Sequence, residues 1–423
     1  MALFKLALFA LLSGLTPLVV LAGLSRFDRL SPALRRTWYA VTSLLTLYFV
    51  EHFAHIVAAN FVHPPFWDFH VFWLYGRVAV LLHNVYDPAN FRLVEGHTLR
   101  PELAIGFPYP PPTIFLLLPL GLFSTSSRVA LAVWYAMHFV ALALIVLLLW
   151  RRFFASFGKA GLLAALALTL SFGPLLRTLA WTQTLVILTL FTLLFFADPN
   201  ALRRGLWLAI AIILKPFTAI LLLEPIARGR WRTLVATIVA LAISTVAAIP
   251  IIGMSGFATY MRRNPAGHYP GSEFWESPNA SLFAVLLRLT HEHAASYQFS
   301  QQYLFLVLVA AVVVATLVLC ILVEGSNREL RLSLMLATGL IVYPATSVAY
   351  PMVLLVPFAM LWQQRTALPG GTPLLVGFVS LDYLLLASEN GSVAFAGLLL
   401  CWLSFAALML AMRRVPVHAP RRA

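Results

Sequence analysis

The sequence predicts an all-α polytopic membrane protein with a bundle of about 12–13 transmembrane helices. Composition points to this class, because 61% of the 423 residues are hydrophobic and only 10% are charged. Soluble domains carry about 25% charged residues. The apolar residues also fall into about a dozen runs, which approach the roughly 20 residues that a membrane-spanning helix needs. We therefore treat residues 1–423 as one integral membrane domain.

The candidate spans follow the apolar runs. They lie at about 3–24, 37–60, 109–123, 128–150, 160–176, 180–197, 205–224, 231–252, 302–324, 331–346, 347–362, 372–388 and 393–412. The first run could be a signal peptide. No small-residue cleavage site precedes the basic stretch after it, which favours an uncleaved helix.

Arginine-rich loops orient this bundle, because cytoplasmic loops carry an excess of Lys and Arg. Residues 25–36 contain four arginines and residues 413–422 contain four more, so both are predicted to be cytoplasmic. Two hydrophilic stretches, 61–108 and 253–301, are then the first and second extracytoplasmic loops.

Two basic loops disagree with this orientation. Residues 151–159 and 203–204 carry Lys and Arg but fall outside. Both conflicts disappear if 109–123 and 205–224 are re-entrant, and a proline in the middle of the second segment would break a helix. Of these two alternatives, we favour full spans for both segments.

Charge and cysteine content exclude several classes of function. The net charge of +14 does not indicate a nucleic-acid partner, because the basic residues lie in short loops between apolar runs. Cys320 and Cys401 lie inside apolar runs and predict neither a disulfide nor a metal site. Glu51, His52 and His55 form a polar patch, but their order is not that of a zinc protease. No metal and no cofactor are therefore predicted.

Asp68 stands at a position suited to catalysis. It follows the second span, so it is predicted at the extracytoplasmic surface, where a base could reach a lipid-linked substrate. The alternative is that it only caps the helix that begins at Phe69. Residues 69–83 are apolar but too short to cross the membrane, which predicts an interfacial helix anchored by Trp73 and Tyr75.

Several polar side chains could accompany Asp68. Lys215 lies inside an apolar run, where a charge costs about 3 kcal/mol. A lipid phosphate, a structural ion pair and snorkelling to the surface all remain open as its partner. Gln183 is a weaker candidate of the same kind. Arg77, Arg262 and Arg263 lie in the outer loops, where they could bind a phosphate or only lipid headgroups.

Aromatic side chains near the outer surface could stack on sugar rings. An aromatic belt at the membrane interface explains each of them equally well. These candidates are Tyr109, Trp134, Tyr269 and Trp275.

Short motifs over most of residues 60–365 resemble, in their order and spacing, glycosyltransferase family 87. They are Trp67-Asp68-Phe69, Gly76-Arg77, Leu81 to Asp87, Phe107 to Pro111, Thr182-Gln183, Ile213-Leu214-Lys215-Pro216, Asn279-Ala280-Ser281-Leu282 and Tyr343-Pro344. Two positions depart from the family pattern. Thr182 stands where the family tends to have Gly. No His follows Pro344, where members often have one, so Tyr350 or another group would take its place.

This resemblance implies a GT-C fold, a helical bundle whose hydrophilic outer cavity is roofed by interfacial helices. It implies an inverting transferase that moves a hexose, with mannose as the first candidate, from polyprenyl phosphate to a hydroxyl of a lipid-linked or glycan acceptor. Asp68 would be the general base. The substrate-binding candidates are Arg77, Tyr109, Gln183, Lys215, Arg262, Arg263 and Tyr350. The protein would lie in the inner (plasma) membrane, with its active site facing the periplasm or exterior.

Two other functions remain as alternatives. A transporter or flippase for a polyprenyl-linked sugar predicts charges along a path across the whole bilayer, and often paired repeats. A structural subunit predicts that Asp68→Asn has no effect. The polar candidates cluster towards one side, with Lys215 as the exception, and this favours an enzyme.

Overall fold

The computed structural model is helical apart from two short strands, which confirms the predicted all-α polytopic class. It describes residues 2–63, 68–81, 84–95, 109–123, 127–263, 268–270, 278–294, 296–298, 302–322, 328–366 and 370–413. The α-helices are α1 (Ala2–Ser25), α2 (Pro32–Val62), α3 (Asp68–Leu81), α4 (Pro88–Glu95), α5 (Ile114–Gly121), α6 (Ser127–Leu149), α7 (Gly158–Leu170), α8 (Gly173–Ala180), α9 (Leu185–Ala197), α10 (Ala201–Leu214), α11 (Leu223–Ala227), α12 (Trp231–Arg263), α13 (Leu282–Thr290), α14 (Tyr303–Leu322), α15 (Arg328–Val342), α16 (Leu355–Gln363), α17 (Gly371–Leu386) and α18 (Gly391–Arg413). Strands β1 (His268–Pro270) and β2 (Ser296–Gln298) pair antiparallel.

Six helical stretches of the described chain are long and apolar enough to cross a membrane, and shorter apolar helices pack among them. The longest include α2, with 31 residues, and α12, with 33. At 1.5 Å per residue, α2 extends about 46 Å, so its last turns project beyond an apolar layer of about 30 Å. The helix α12 continues past residue 253, where a second loop was predicted to begin. Gly253 has a positive φ of 74° and marks a kink inside the helix.

Residues 205–224 form a hairpin. The helix α10 ends at Leu214, and Lys215 has an extended backbone with φ −151° and ψ 115°. Pro216 then starts a 3-10 helix, Pro216–Leu222, that leads into α11. Proline cannot supply the amide that would continue the helix, and its ring clashes with the preceding turn. The helix α10 therefore ends before Pro216.

Arg328 contacts residues near both ends of this hairpin, namely Phe196 at the end of α9 and Glu224 in α11. Its Nη1 donates to the carbonyl oxygen of Phe196 at 3.4 Å, and its Nε lies 3.5 Å from Oε1 of Glu224. The hairpin thus begins and ends on one side of the bundle, which we call the Arg328 end. The opposite side, which carries Asp68, is the Asp68 end. The full span predicted for 205–224 is wrong, and the re-entrant alternative describes the chain.

Residues 109–123 do not cross the bundle either. Their helix α5 has only eight residues, about 12 Å, and it packs on α3. The two helices touch at glycines: a Cβ added to Gly76 would lie 2.4 Å from the carbonyl oxygen of Leu117, and one added to Gly121 would lie 2.2 Å from the carbonyl carbon of Gly76. The full span predicted here is also wrong, because α5 is too short and lies against α3.

With both corrections, the basic loops lie at the same end of the bundle. With α5 at the Asp68 end, α6 runs towards the Arg328 end, where Gln363 Nε2 donates to the carbonyl oxygen of Arg152 at 2.6 Å. The next residue, Gln364, donates to Glu329 Oε2 at 3.1 Å, directly beside Arg328. The loops that conflicted with the predicted orientation therefore lie with the other arginines.

Candidate active site

Asp68 is the first residue of α3 and is partly buried. Its Oδ2 accepts a hydrogen bond of 3.1 Å from the side-chain amide of Gln183, which lies in the turn between α8 and α9. An amide that donates to one carboxylate oxygen orients the group and leaves its other oxygen available for a proton. The two residues are 115 positions apart, so only the tertiary fold brings them together.

The surroundings of Asp68 act on its pKa in opposite directions. Burial raises the pKa of this carboxyl above its ordinary value, while the positive charge of Lys215 and the hydrogen bond from Gln183 lower it. Burial has the largest effect, because it removes water that would stabilise the charged form. The result is a carboxyl group with a raised pKa, which is the property expected of a proton acceptor near neutral pH.

Lys215 lies at the apex of the α10–α11 hairpin and is only 4% exposed. Its Nζ donates to the hydroxyl of Tyr350 at 2.6 Å and to that of Tyr109 at 3.1 Å. The ammonium also lies 4.4 and 4.8 Å from the centres of these two rings. Lys215 therefore neither snorkels to the surface nor pairs with Glu224, which instead lies at the Arg328 end.

The two tyrosines are held by their own neighbours. Tyr350 begins the 3-10 helix Tyr350–Leu354, and its ring stacks on Phe217 and Tyr343 at 5.9 and 6.2 Å. The Tyr109 ring lies 5.6 Å from Phe72 of α3. These contacts place both hydroxyl groups beside the hairpin apex.

A short pairing supports the segment before Tyr350. Asn279 forms an isolated antiparallel bridge with Ser347, and the amide of Ala280 donates to the carbonyl oxygen of Thr346 at 2.6 Å. The Asn-Ala-Ser-Leu motif thus lies against the turn after Pro344. In this chain the turn leads to Tyr350, where family members often have a His nearby.

The turn that carries Gln183 has an unusual backbone. Thr182 has a positive φ of 56°, a region that β-branched residues rarely adopt. Glycine is suited to such a position, which explains why Thr stands out at the place where the family tends to have Gly. Two side chains of α6 contact this turn: Trp134 Nε1 donates to the carbonyl oxygen of Thr182 at 2.7 Å, and His138 Nε2 lies 2.7 Å from that of Gln183.

The predicted residues therefore divide into two groups. Asp68, Gln183, Lys215, Tyr109 and Tyr350 are linked by hydrogen bonds or by charge at the Asp68 end. Sequence reasoning did not identify His138, and it assigned Trp134 to sugar stacking or an aromatic belt. Trp134 is instead fully buried beneath the turn.

The predicted arginines lie elsewhere. Arg77 is nine residues after Asp68 on α3, half a turn out of phase, and its Cζ lies 5.7 Å from the Trp73 ring. Arg262 is exposed near the end of α12, which Arg263 completes. The contacts described for Arg77 and Arg262 do not include Asp68 or Lys215. Trp275 lies outside the described residues.

The remaining polar patch gives no sign of a metal site. Glu51 and His55 lie 3.4 Å apart, with side chains 64% and 78% exposed. Within the described ranges, no group of three or more His, Cys, Asp or Glu side chains could hold a metal ion.

The fold and the site define a polytopic membrane protein with a carboxylate and an ammonium group gathered at one end of its helical bundle. A family model described as Glycosyltransferase family 87 matches residues 107–357, more than half of the chain. The chain belongs to glycosyltransferase family 87 and is therefore a membrane glycosyltransferase. No curated protein and no solved structure matches it.

Proposed function

We propose that this enzyme transfers a hexose, with mannose as the first candidate, from a polyprenyl-phosphate donor to a hydroxyl group of a lipid-linked or glycan acceptor. The observation that carries the proposal is the cluster at the Asp68 end, where a carboxylate and a lysine ammonium lie within electrostatic reach of each other. A transfer of this kind needs both groups, one to accept a proton and one to stabilise a leaving phosphate.

Asp68 is the general base of the proposed reaction. The acceptor hydroxyl oxygen attacks C1 of the donor sugar and forms the new glycosidic bond, while its proton passes to the carboxylate of Asp68. Attack from the face opposite the leaving group inverts the configuration at C1. General-base catalysis of this type contributes roughly 10²–10⁴-fold. Gln183 supports this role because it holds Oδ2 of Asp68 in place.

Lys215, Tyr109 and Tyr350 stabilise the leaving group. The bond between C1 and the phosphate oxygen breaks with its electron pair, so negative charge grows on the polyprenyl phosphate. Lys215 is buried within the cluster, and a fixed charge is most effective where water is excluded. Tyr109 and Tyr350 each accept a hydrogen bond from Lys215, and a phenolic hydroxyl group is a donor as well as an acceptor.

The positions of the basic loops support a site on the extracytoplasmic side. Residues 151–152, 203–204, 228–232 and 328–331 all belong to the Arg328 end once 109–123 and 205–224 are corrected. Cytoplasmic loops carry the excess of Lys and Arg. We therefore propose that Asp68 faces the periplasm or exterior at the inner (plasma) membrane, where the donor and acceptor lipids would enter.

Sugar transfer by the purified protein tests the proposal. The enzyme in lipid nanodiscs receives radiolabelled polyprenyl-phosphate-mannose and a lipid extract from its host. We expect the wild type to transfer label to a lipid or glycan product, and Asp68→Asn to lose at least about 10²-fold in rate. Asp87→Asn is the matched control, since Asp87 is exposed and only caps α4 through Ala89.

Each failure has its own meaning. If Asp68→Asn is as active as Asp87→Asn, Asp68 is a helix-terminal residue and not the base. If the wild type transfers no label, the mannose donor is wrong, and polyprenyl phosphates that carry other hexoses become the next substrates. Translocation of the donor headgroup across liposomes without transfer would instead establish the flippase alternative.

A further inference from the structure

His138 is a buried side chain that reaches the site only through the backbone. It lies on α6, is 1% exposed, and has its Nε2 2.7 Å from the carbonyl oxygen of Gln183. Its Nδ1 lies 2.8 Å from the carbonyl oxygen of Trp134, one helical turn earlier. Because the side chain of Gln183 donates to Asp68, one residue connects the imidazole to the carboxylate.

The turn that His138 contacts is held from α6 as well as by its own backbone hydrogen bonds to the end of α8. Thr182 has a left-handed backbone, with φ 56°, which is unfavourable for a β-branched residue. Two consecutive carbonyl oxygens of this turn, those of Thr182 and Gln183, face side chains of α6. Those side chains, Trp134 and His138, are four residues apart and so share one face of the helix. The helix face therefore holds the turn at two adjacent points.

We infer that His138 is a positioning residue, which fixes the Gln183 backbone and thereby the direction from which the Gln183 amide donates to Asp68. The inference rests on the proposed role of Asp68 as general base. A misplacement of about 1 Å near the reacting groups can cost about 10²-fold in rate. His138 itself touches no substrate, so its loss should lower kcat much more than it changes KM.

Two substitutions of similar size separate the two contacts of the ring. In His138→Gln, the amide nitrogen occupies the position of Nε2 and keeps a donor for the carbonyl of Gln183. A neutral imidazole carries one N–H, and the inference assigns it to Nε2. In His138→Asn, the amide nitrogen occupies the position of Nδ1, so no donor reaches the carbonyl of Gln183. Only the second variant removes the contact with the carbonyl of Gln183, and the contact of Trp134 with Thr182 stays in both.

The experiment measures kcat and KM for sugar transfer by the wild type, both His138 variants and Asp68→Asn, in the same nanodiscs. We expect His138→Gln to stay within about threefold of the wild-type kcat, and His138→Asn to lose about 10- to 100-fold with little change in KM. Thermal unfolding of the purified proteins shows whether both variants fold to a similar extent.

The outcomes separate this inference from the proposed function. Equal activity of His138→Gln and His138→Asn, whether retained or lost, overturns the positioning role, because the Gln183 contact would then not matter. If Asp68→Asn is inactive while His138→Asn is fully active, the base assignment stands and only the inference fails. If Asp68→Asn is fully active, the proposed base fails, and the role of His138 fails with it.

Discussion

The two ends of the bundle bury charge in different ways. At the Arg328 end, Glu224 is 2% exposed and is paired directly, with Arg230 Nη1 at 2.6 Å and Arg328 Nε at 3.5 Å. At the Asp68 end, the described contacts include no ion pair between Asp68 and Lys215, although the charge of Lys215 still acts on the pKa of Asp68. Among the described contacts, the side-chain amide of Gln183 binds the carboxylate, and the hydroxyls of Tyr109 and Tyr350 bind the ammonium.

This difference distinguishes a buried charge that supports the fold from a buried charge that is proposed to act on a substrate. A buried charge that is fully paired stabilises a packing arrangement and is costly to break. Opposite charges that lie near each other without pairing directly leave room for a substrate between them. The first arrangement closes a hairpin; the second lies at the apex of that hairpin, about 20 Å away along α10.

Of the substitutions at the two ends, Lys215→Met should lower kcat the most. If the ammonium stabilises the leaving phosphate as proposed, its loss should lower kcat about 10²- to 10³-fold. Lys215→Arg keeps the charge and should retain more activity. Steady-state transfer rates for the two variants and the wild type test this, and equal rates would show that the charge of Lys215 has no catalytic role.

The same substitution should move the pH profile. In the proposed mechanism Asp68 accepts a proton only when it is deprotonated, so activity should rise as pH passes the pKa of Asp68, which burial raises. The charge of Lys215 lowers that pKa, so its removal raises it further and shifts the acidic limb of kcat to higher pH. The residual activity of Lys215→Met, measured from about pH 5 to about pH 9, should show this shift. A limb at unchanged pH would contradict the electrostatic coupling.

Glu224→Gln should affect stability rather than chemistry. It leaves two arginines without their buried carboxylate, which should lower the free energy of unfolding by about 3 kcal/mol. The loss should be smaller than for a fully buried pair, because Arg230 is 35% exposed. Thermal unfolding should show a clear loss, while the folded fraction keeps its kcat. Glu51→Gln is the control: Glu51 lies 3.4 Å from His55, and both side chains are exposed, at 64% and 78%, so its effect should be smaller. A large fall in kcat for Glu224→Gln would contradict the purely structural role of Glu224.

Tyr350→Phe should have a moderate effect. It removes one of the hydroxyls that bind Lys215 but keeps the ring that stacks on Phe217. A hydrogen bond to a charged group contributes about 1.5–3 kcal/mol, so we expect kcat to fall about tenfold or more with little loss of stability. If this rate is unchanged, Tyr350 does not take over the role of the family His.

Thr182→Gly should produce the smallest change, and in the stabilising direction. It removes the strain of a positive φ at a β-branched residue, a gain of about 0.5–1 kcal/mol. Thr184→Gly is the matched control, because Thr184 has a negative φ of −73° and glycine should destabilise there. A lower melting temperature for Thr182→Gly would show that the threonine side chain contributes more than its backbone costs.

Much of the site could be predicted one residue at a time. Asp68 stands at the end of a long apolar run, and Lys215 is a charge inside one, so each is conspicuous in the sequence. Arg77 looked equally promising, but nine residues along a helix turn its side chain away from Asp68. His138 could not be found, because a single His in an apolar helix forms no pattern before its partners in space are known.

The sequence by itself determined the class of protein, since 61% hydrophobic residues in long runs can be buried only in a membrane bundle. It also indicated a weak point at Lys215-Pro216, because proline disfavours a helix interior, although Pro17, Pro119 and Pro250 all lie inside helices of this chain. Only the tertiary structure decided that the chain turns back at this break and that α5 stays at one end. Packing at Gly76 and the contacts of Arg328 make those choices, and both involve residues far apart in the chain, whose proximity no local pattern records.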